Sequence, residues 1–258
     1  MDVKNILIER GIRAKRCLGQ YFLIDDRVTS RMVEYAGVER GDVVLEIGAG
    51  VGSLTAMLDQ RAKKVYAMEK DKELCELLRE RYGNKKSITE VIEGDFMKIE
   101  LPEFDKVVAS IPFSISSAIT YKLLLHNEGF GLAVLLYQKE FAQKMTAKPR
   151  SKLYGRLSVI SQALAEIEIL EIVHRDAFYP PPPVKTAIVR LREKEKIRGL
   201  IEDKRKIFEF VTTAFDQRRK KMRIIFKSRF SGSLALTELE KRPEELSPEE
   251  FVKLAEYI

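Results

Sequence analysis

The stretch VVLEIGAGVGSL, residues 43–54, constrains the fold of this chain more than any other. Its first five residues are apolar except for Glu46 and rich in β-branched side chains, which predicts a strand buried on both faces. Three glycines follow at alternate positions and favour a tight turn, after which a helix is expected from Ser53. Such a unit presents backbone N–H groups and a helix N-terminus at the carboxyl end of a parallel strand, where open α/β sheets bind nucleotides.

The spacing of these glycines separates classes of nucleotide ligand. Counted from Gly48, the dinucleotide fingerprint G-x-G-x-x-G/A would place its third glycine or alanine at Ser53, whereas Gly52 stands one residue earlier. The pattern G-x-G-x-G, followed by Glu69 at the end of the next predicted strand, resembles the motif of Rossmann-like methyltransferases that use S-adenosylmethionine. Glu69 lies about 20 residues past the turn, where a carboxylate can accept hydrogen bonds from both ribose hydroxyls. The alternative is a glycine turn that only lets a helix pack close to a sheet.

Predicted strands and helices alternate along the chain as far as residue 137. After the strand at 43–47, strands are predicted at 64–69, 88–93, 105–109, 132–137, 167–174 and 185–191. The last two flank DAFYPPPP, whose four prolines predict a polyproline II crossing, and one of the two is expected to be antiparallel. This order predicts an α/β fold with a mostly parallel seven-stranded sheet.

The composition changes near residue 192. A charged segment, EKEKIRGLIEDKRK, begins there, and residues 207–258 have a helical pattern throughout. We therefore expect two domains: residues 1–192 form the α/β domain with a basic N-terminal arm, and residues 193–258 form a small all-helical domain.

Charge and cysteine content bound the class of function. Lys and Arg number 46 against 39 Asp and Glu, a net charge of +7, so a polyanionic partner is plausible. Cys17 and Cys75 belong to no ligand-spaced cluster, which indicates neither a disulfide framework nor a metal site and fits a reducing cytoplasm. No apolar run reaches the ~18 residues that a membrane helix needs, so no membrane partner is expected.

Two further features follow strands of the predicted sheet. Asp95 comes after Gly94 at a strand end, on the same edge as Glu69, where its carboxylate could accept from an adenine amine; an ordinary Asx turn is the alternative. The segment SIPF, residues 110–113, follows the strand at 105–109, and its proline fixes the path that the chain takes from the sheet.

Taken together, the motifs resemble those of the small-subunit rRNA adenine dimethyltransferases. The resemblance rests on CLGQYFL, VLEIGAGVG, VYAMEKD, VIEGDF, SIPFSISS, QKEFAQKMTAKPRSKLYGRLSV, AFYPPPPVKTAIVRL and FDQRRKKMRIIFK, in that order. It extends over nearly the whole chain, to the closing LSPEEFVKLAEYI. It implies a class I methyltransferase that moves methyl groups from S-adenosylmethionine to the exocyclic amines of two adjacent adenines near the 3′ end of small-subunit rRNA. It also implies that residues 193–258 contact rRNA.

The resemblance implies roles for individual residues. The cofactor would contact Tyr21, Leu23, Glu46, Gly48, Gly50, Gly52, Glu69, Asp95 and Ser110. The target adenine would meet Ser110, Ile111, Pro112 and Phe113. Two positions depart from the family pattern: Ser110 stands where the family has Asn, and a hydroxyl reaches less far than an amide oxygen and can also donate its proton elsewhere. Tyr21 stands where Asn or His is more usual.

Basic side chains cluster in a loop at residues 144–156 and in QRRKKMRIIFKSR, residues 217–229, which has a helical pattern. The predicted RNA-binding residues are Lys148, Arg150, Lys152, Arg156, Arg218, Arg219, Lys220, Lys221 and Arg223. With the basic arm at residues 10–16, they are expected to hold structured RNA through its phosphates. The alternative is a solvated basic surface without a specific partner.

The departure at Ser110 leaves a second class of function open. A non-catalytic ribosome-assembly or RNA-binding factor could retain the fold while losing methyl transfer, although the glycine turn, Glu69 and Asp95 argue against that. A third option is an enzyme of the same superfamily acting on large-subunit rRNA. We expect a cytoplasmic monomer that acts on the small-subunit rRNA of a pre-30S-type particle.

Overall fold

The computed structural model describes residues 2–15, 18–84, 86–197, 200–227 and 237–257. By its internal contacts the chain divides into two compact units. The first comprises Met1–Lys122, Phe130–Lys139 and Glu168–Arg192, and the second comprises Leu123–Gly129, Glu140–Ile167 and Glu193–Ile258. The predicted division after residue 192 stays a prediction, because the second unit takes segments from both sides of that position.

A seven-stranded sheet in the order β4-β3-β2-β5-β6-β9-β7 organises the first unit. Its strands are β2 (Val43–Ile47), β3 (Lys64–Glu69), β4 (Thr89–Glu93), β5 (Lys106–Ser110), β6 (Leu132–Gln138), β7 (Ala165–Val173) and β9 (Thr186–Glu193). Strands β2 to β6 pair in parallel, whereas β9 runs antiparallel to β6. The predicted mostly parallel sheet of seven strands is confirmed.

The register of the parallel strands brings their carboxyl ends to one edge. Ile47 of β2 lies opposite Met68 of β3, and Glu69 of β3 lies opposite Glu93 of β4. On the other side of β2, Leu45 lies opposite Val107 of β5. The segments that follow β2, β3, β4 and β5 therefore emerge next to one another.

Helices cover this sheet because their apolar stripes need burial. The first unit contains α1 (Val3–Glu9), α2 (Asp26–Ala36), α3 (Ser53–Leu58) and α4 (Lys72–Tyr82), and α5 (Ser116–Leu124) follows β5. Helix α2 is capped by Asp25, whose carboxylate accepts from the Arg27 N–H, and it stops at Gly37, which is left-handed with φ 53°. Its buried Met32 and Val33 pack in one apolar core with strand residues such as Val108.

A second, two-stranded sheet was not predicted. Strand β1 (Phe22–Leu23) pairs antiparallel with β8 (Phe178–Tyr179), with Phe22 opposite Tyr179. The two aromatic residues that precede the four prolines of DAFYPPPP thus pair with the N-terminal segment.

The second unit is mainly helical. It contains most of α6 (Lys139–Met145), with α7 (Arg156–Leu164), α8 (Ile201–Asp216), α9 (Met222–Ile225) and α10 (Pro248–Ala255). Phe210, Phe226 and Phe251 form its aromatic core, with ring centroids 4.5 Å apart for Phe210 and Phe226. Lys204 and Glu193 form a fully buried ion pair, and Lys204 Nζ also donates to the His126 carbonyl at 3.1 Å.

The predicted helix over residues 217–229 is wrong for most of its described length. Helix α8 ends at Asp216, and residues 217–221 form a turn in which the Lys220 N–H donates to the Gln217 carbonyl at 2.8 Å. In a helix the like charges of Arg218 and Lys221 would be neighbours at i,i+3 and repel, whereas in the turn Arg218 pairs with Glu244 at 2.6 Å. Residues 228 and 229 of that prediction, like Arg16 and Cys17 of the N-terminal arm, lie outside the described residues.

None of the helices that the structure describes is long and apolar enough to cross a bilayer.

Candidate active site

A cavity opens at the carboxyl edge of the seven-stranded sheet, within the first unit. Its lining comes from the ends of β2, β3, β4 and β5 and from residues 18–22 of the N-terminal segment. The predicted site residues that line it are Tyr21, Gly48, Gly50, Glu69, Asp95, Ser110, Ile111, Pro112 and Phe113. Topology thus brings together residues that are up to about 90 positions apart in the chain.

The glycine turn forms one wall of this cavity. The N–H groups of Gly48 and Ala49 both donate to the Met68 carbonyl, at 2.8 and 3.0 Å, which anchors the turn to β3. Gly50 has φ +60°, and a Cβ placed on it would lie 3.4 Å from the Phe22 ring. Glycine at this position therefore relieves backbone strain and leaves the turn open to a close ligand.

Glu69 is fixed by the backbone around it. Its carboxylate accepts hydrogen bonds from the N–H groups of Gly50 at 2.9 Å, Lys70 at 2.8 Å and Asp71 at 2.9 Å. The side chain is nearly buried, and burial raises the pKa of Glu69, an effect that the three donors oppose. A carboxylate has about four lone-pair sites, so these three bonds leave acceptor capacity facing the cavity.

Asp95 occupies the neighbouring strand end, after β4. One carboxylate oxygen accepts from the Met97 N–H at 3.0 Å and the other from Lys70 Nζ at 3.0 Å. These two partners lower the pKa of Asp95, so the group is a charged acceptor at neutral pH. Lys70, which also lines the cavity, was not predicted as a site residue.

Lys122 of α5 holds the loop that follows Asp95. Its Nζ donates to the carbonyls of Phe96 and Ile99, both at 2.5 Å, and lies 5.0 Å from the Phe96 ring centroid. Burial lowers the pKa of Lys122. Because α5 begins just after residues 110–115, this side chain links the loop after β4 to the segment that leaves β5.

That segment carries the predicted adenine-binding residues. Ser110 is the last residue of β5, the side chain of Ile111 is buried, and Phe113 begins a short 3-10 helix. The Phe113 ring stacks on that of Tyr21, with centroids 5.5 Å apart and an interplanar angle of 23°.

Gln20 lines the cavity and was also not predicted as a site residue. The Gln20 side chain accepts from the Lys15 N–H at 2.7 Å and donates to Asp71 at 2.8 Å. Lys15 Nζ binds the same buried carboxylate at 2.8 Å. This network secures the N-terminal segment next to Glu69, and no sequence spacing signals it because Asp71 is more than 50 residues from Lys15 and Gln20.

Three predicted cofactor residues lie outside the cavity lining. Glu46 is buried beside α3, where the Thr55 hydroxyl donates to its carboxyl at 2.6 Å and burial raises its pKa to about 8. Leu23 is buried in the core, and Gly52, with φ +86°, packs against Leu78. Glu46 faces away because successive side chains on a strand alternate between faces, and its neighbour Ile47 lines the cavity.

The predicted RNA-binding cations all lie in the second unit and are exposed. Five of them form ion pairs: Arg150 with Glu245, Arg156 with Asp216, Arg218 with Glu244, and both Lys221 and Arg223 with Glu240. Within the described ranges, four form no ion pair with an acidic side chain: Lys148, Lys152, Arg219 and Lys220.

A mostly parallel sheet with antiparallel β9, a glycine turn after β2 and an acid at the end of β3 define a class I methyltransferase. The chain belongs to the ribosomal RNA adenine dimethylase family, whose model matches residues 11–258. Membership of this family implies S-adenosylmethionine as the methyl donor.

Individual relatives agree with this assignment. A probable ribosomal RNA small subunit methyltransferase A of Thermococcus onnurineus is 42% identical over 270 residues, which cover 98% of this chain and 96% of the relative. The crystal structure of a dimethyladenosine transferase from Plasmodium falciparum is similar with a TM-score of 0.78 and 29% identity, covering 90% of this chain and 95% of that one. The structure of the 23S rRNA methyltransferase ErmE, also 29% identical, gives a TM-score of 0.65 and covers 92% of this chain and 98% of that one.

Proposed function

We propose that this protein transfers methyl groups from S-adenosylmethionine to the N6 atoms of two adjacent adenines near the 3′ end of small-subunit rRNA. The observation that carries the proposal is the cavity that unites Glu69, Asp95 and residues 110–113 at one sheet edge. Glu69 and Asp95 are suited to bind the methyl donor, and residues 110–113 are suited to bind an adenine.

The donor's adenosine would be held by two carboxylates on neighbouring strands. Glu69 would accept from the ribose hydroxyls, since its orientation is already set by three backbone donors. Asp95 would accept from the adenine amine with the carboxylate oxygen that Lys70 Nζ contacts. The amine would either displace Lys70 from that oxygen or bind it together with Lys70. The glycine turn, with no side chain at Gly48 or Gly50, would admit the rest of the cofactor.

S-adenosylmethionine supplies a methyl group that its sulfonium already activates, so the protein's task is positioning rather than strong base catalysis. The target amine would donate its N–H groups to the Ser110 hydroxyl and the Ile111 carbonyl. Stacking of the extruded base on Phe113 would add roughly 1–3 kcal/mol of binding. Ser110 supplies a shorter acceptor than Asn, so the Ile111 carbonyl and the aromatic stack carry more of the positioning here.

RNA would be held by phosphate contacts that do not read sequence. The cations best suited to this are the four without acidic partners, Lys148, Lys152, Arg219 and Lys220, because a phosphate need not displace a carboxylate to reach them. The small-subunit target is supported by the Thermococcus relative, a probable ribosomal RNA small subunit methyltransferase A.

The proposal is tested by incubating the protein and labelled S-adenosylmethionine with isolated small and large ribosomal subunits that lack adenine methyls. Label in the small-subunit rRNA alone is expected. Label in the large-subunit rRNA would contradict the choice of substrate. Binding of S-adenosylmethionine without transfer to either subunit would favour the assembly factor instead.

A further inference from the structure

We infer that Tyr21 is a positioning residue for the target adenine, acting through the Phe113 ring rather than as a cofactor ligand. This inference rests on the proposed function, because it needs Phe113 to stack on the extruded base. The family resemblance had instead implied that Tyr21 contacts the cofactor.

The first observation is the stack itself. Tyr21 and Phe113 both line the cavity, and their rings lie 5.5 Å apart at 23°, an offset parallel arrangement of the kind that aromatic pairs favour. A ring that is already stacked on one neighbour has lost much of its freedom to rotate. Phe113 is therefore oriented before a base arrives, which lowers the entropic cost of stacking the base.

The second observation is that the residues on either side of Tyr21 are fixed. Gln20 is tied to Lys15 and to the buried Asp71, and Phe22 belongs to β1, which pairs with β8. The backbone on both sides of Tyr21 is thus anchored to separate parts of the first unit. Its ring therefore projects from a fixed stretch of backbone.

The third observation is close packing between the N-terminal segment and the segment that leaves β5. Gly19 has φ +66°, and a Cβ there would lie 3.3 Å from Ser114 Oγ and 3.7 Å from Pro112 Cβ. The chain therefore passes close to residues 112–114, with little room for a side chain at position 19. Tyr21 faces the substrate segment because of this approach, and its phenol ring contacts the residue proposed to bind the base.

The test compares Tyr21→Leu, Tyr21→Asn and Tyr21→Phe with the unchanged protein, using S-adenosylmethionine and unmethylated small subunits as probes. Single-turnover transfer at saturating cofactor is measured beside the cofactor dissociation constant and the unfolding midpoint. The two variants without a ring are expected to transfer about three- to tenfold more slowly, with cofactor affinity within about twofold. Tyr21→Phe keeps the ring and is expected to retain the rate.

Tyr35→Leu is the matched control, because Tyr35 lies on α2 outside the cavity lining and should leave both quantities unchanged. Weaker cofactor binding with an unchanged saturated rate would overturn the inference, as would unchanged rates in both variants that lack the ring. Loss in Tyr21→Phe equal to that in Tyr21→Leu would also overturn it, because the hydroxyl and not the stack would then matter. If the unchanged protein binds cofactor but transfers no methyl, the proposed function fails, and the inference fails with it.

Discussion

Replacing Glu69 by Gln tests the most constrained side chain of the cavity. The carboxylate accepts from three backbone N–H groups with its two oxygens, and a glutamine offers one oxygen and one amide NH₂. However the amide turns, its NH₂ faces at least one backbone donor. One unsatisfied donor costs about 1–3 kcal/mol of stability, so the unfolding midpoint should fall by roughly 2–10 °C.

The same change should weaken cofactor binding more sharply than folding. A hydrogen bond to a charged group contributes about 1.5–3 kcal/mol, so loss of one charged ribose acceptor predicts an affinity lower by roughly 10- to 150-fold. Calorimetric titration with S-adenosylmethionine measures this effect, and salt-dependent RNA binding should stay nearly unchanged.

Glu93→Gln is the matched control, because Glu93 ends the next strand, lies opposite Glu69 in the register and pairs with Arg79. A folded Glu69→Gln protein with cofactor affinity within twofold of the original would refute the reasoning. So would an equal loss of cofactor and RNA affinity.

Three further predictions concern other parts of the molecule. Lys122→Met should lower cofactor affinity by about tenfold in the same titration, because the carbonyls of Phe96 and Ile99 lose their shared donor. Lys122→Arg keeps a donor and is the control. Equal cofactor affinities of the two variants would contradict this prediction. Glu46 has a pKa raised to about 8, so the folded state holds a proton that the unfolded state releases above about 4.5, and stability should fall as pH rises between these values. In melts from pH 5 to 8, Glu46→Gln should remove that part of the decline, and parallel curves for both proteins would refute the assignment. Neutralising the four cations without acidic partners should reduce the slope of log affinity against log salt concentration for RNA binding, by at most about 0.9 per lost phosphate contact. The reduction should be larger than when four cations with acidic partners are neutralised. Equal slopes would show that the ion pairs do not decide which cations bind RNA. The four are Lys148, Lys152, Arg219 and Lys220.

The parts of the site that follow strand ends could be predicted from sequence. Parallel strands gather their carboxyl ends at one edge, so Glu69, Asp95 and Ser110 were expected together, and the structure places all three around one cavity. The glycine turn was predictable for the same reason, because its spacing is local.

Features that depend on distant partners could not be predicted. Strands β1 and β8 have two residues each and are paired across more than 150 positions, which is too short for any periodicity. The turn at residues 217–221 is stabilised by acids about 20 residues further on, such as Glu240, so its local pattern still favoured a helix. The burial of Glu46 away from the cavity, by contrast, could have been predicted. Successive side chains of a strand point to opposite faces, so Glu46 and Ile47 cannot both face the cavity.

The most direct test of the central claim is mass analysis of nucleosides from small subunits incubated with the protein and S-adenosylmethionine, with the modified positions mapped on the rRNA. The account predicts N6,N6-dimethyladenosine at two adjacent positions near the 3′ end, formed with Ser110 in place. Monomethyladenosine alone would contradict the claim that Ser110, the Ile111 carbonyl and the Phe113 stack suffice for both transfers, and a complete absence of methylated adenine would contradict the catalytic role itself.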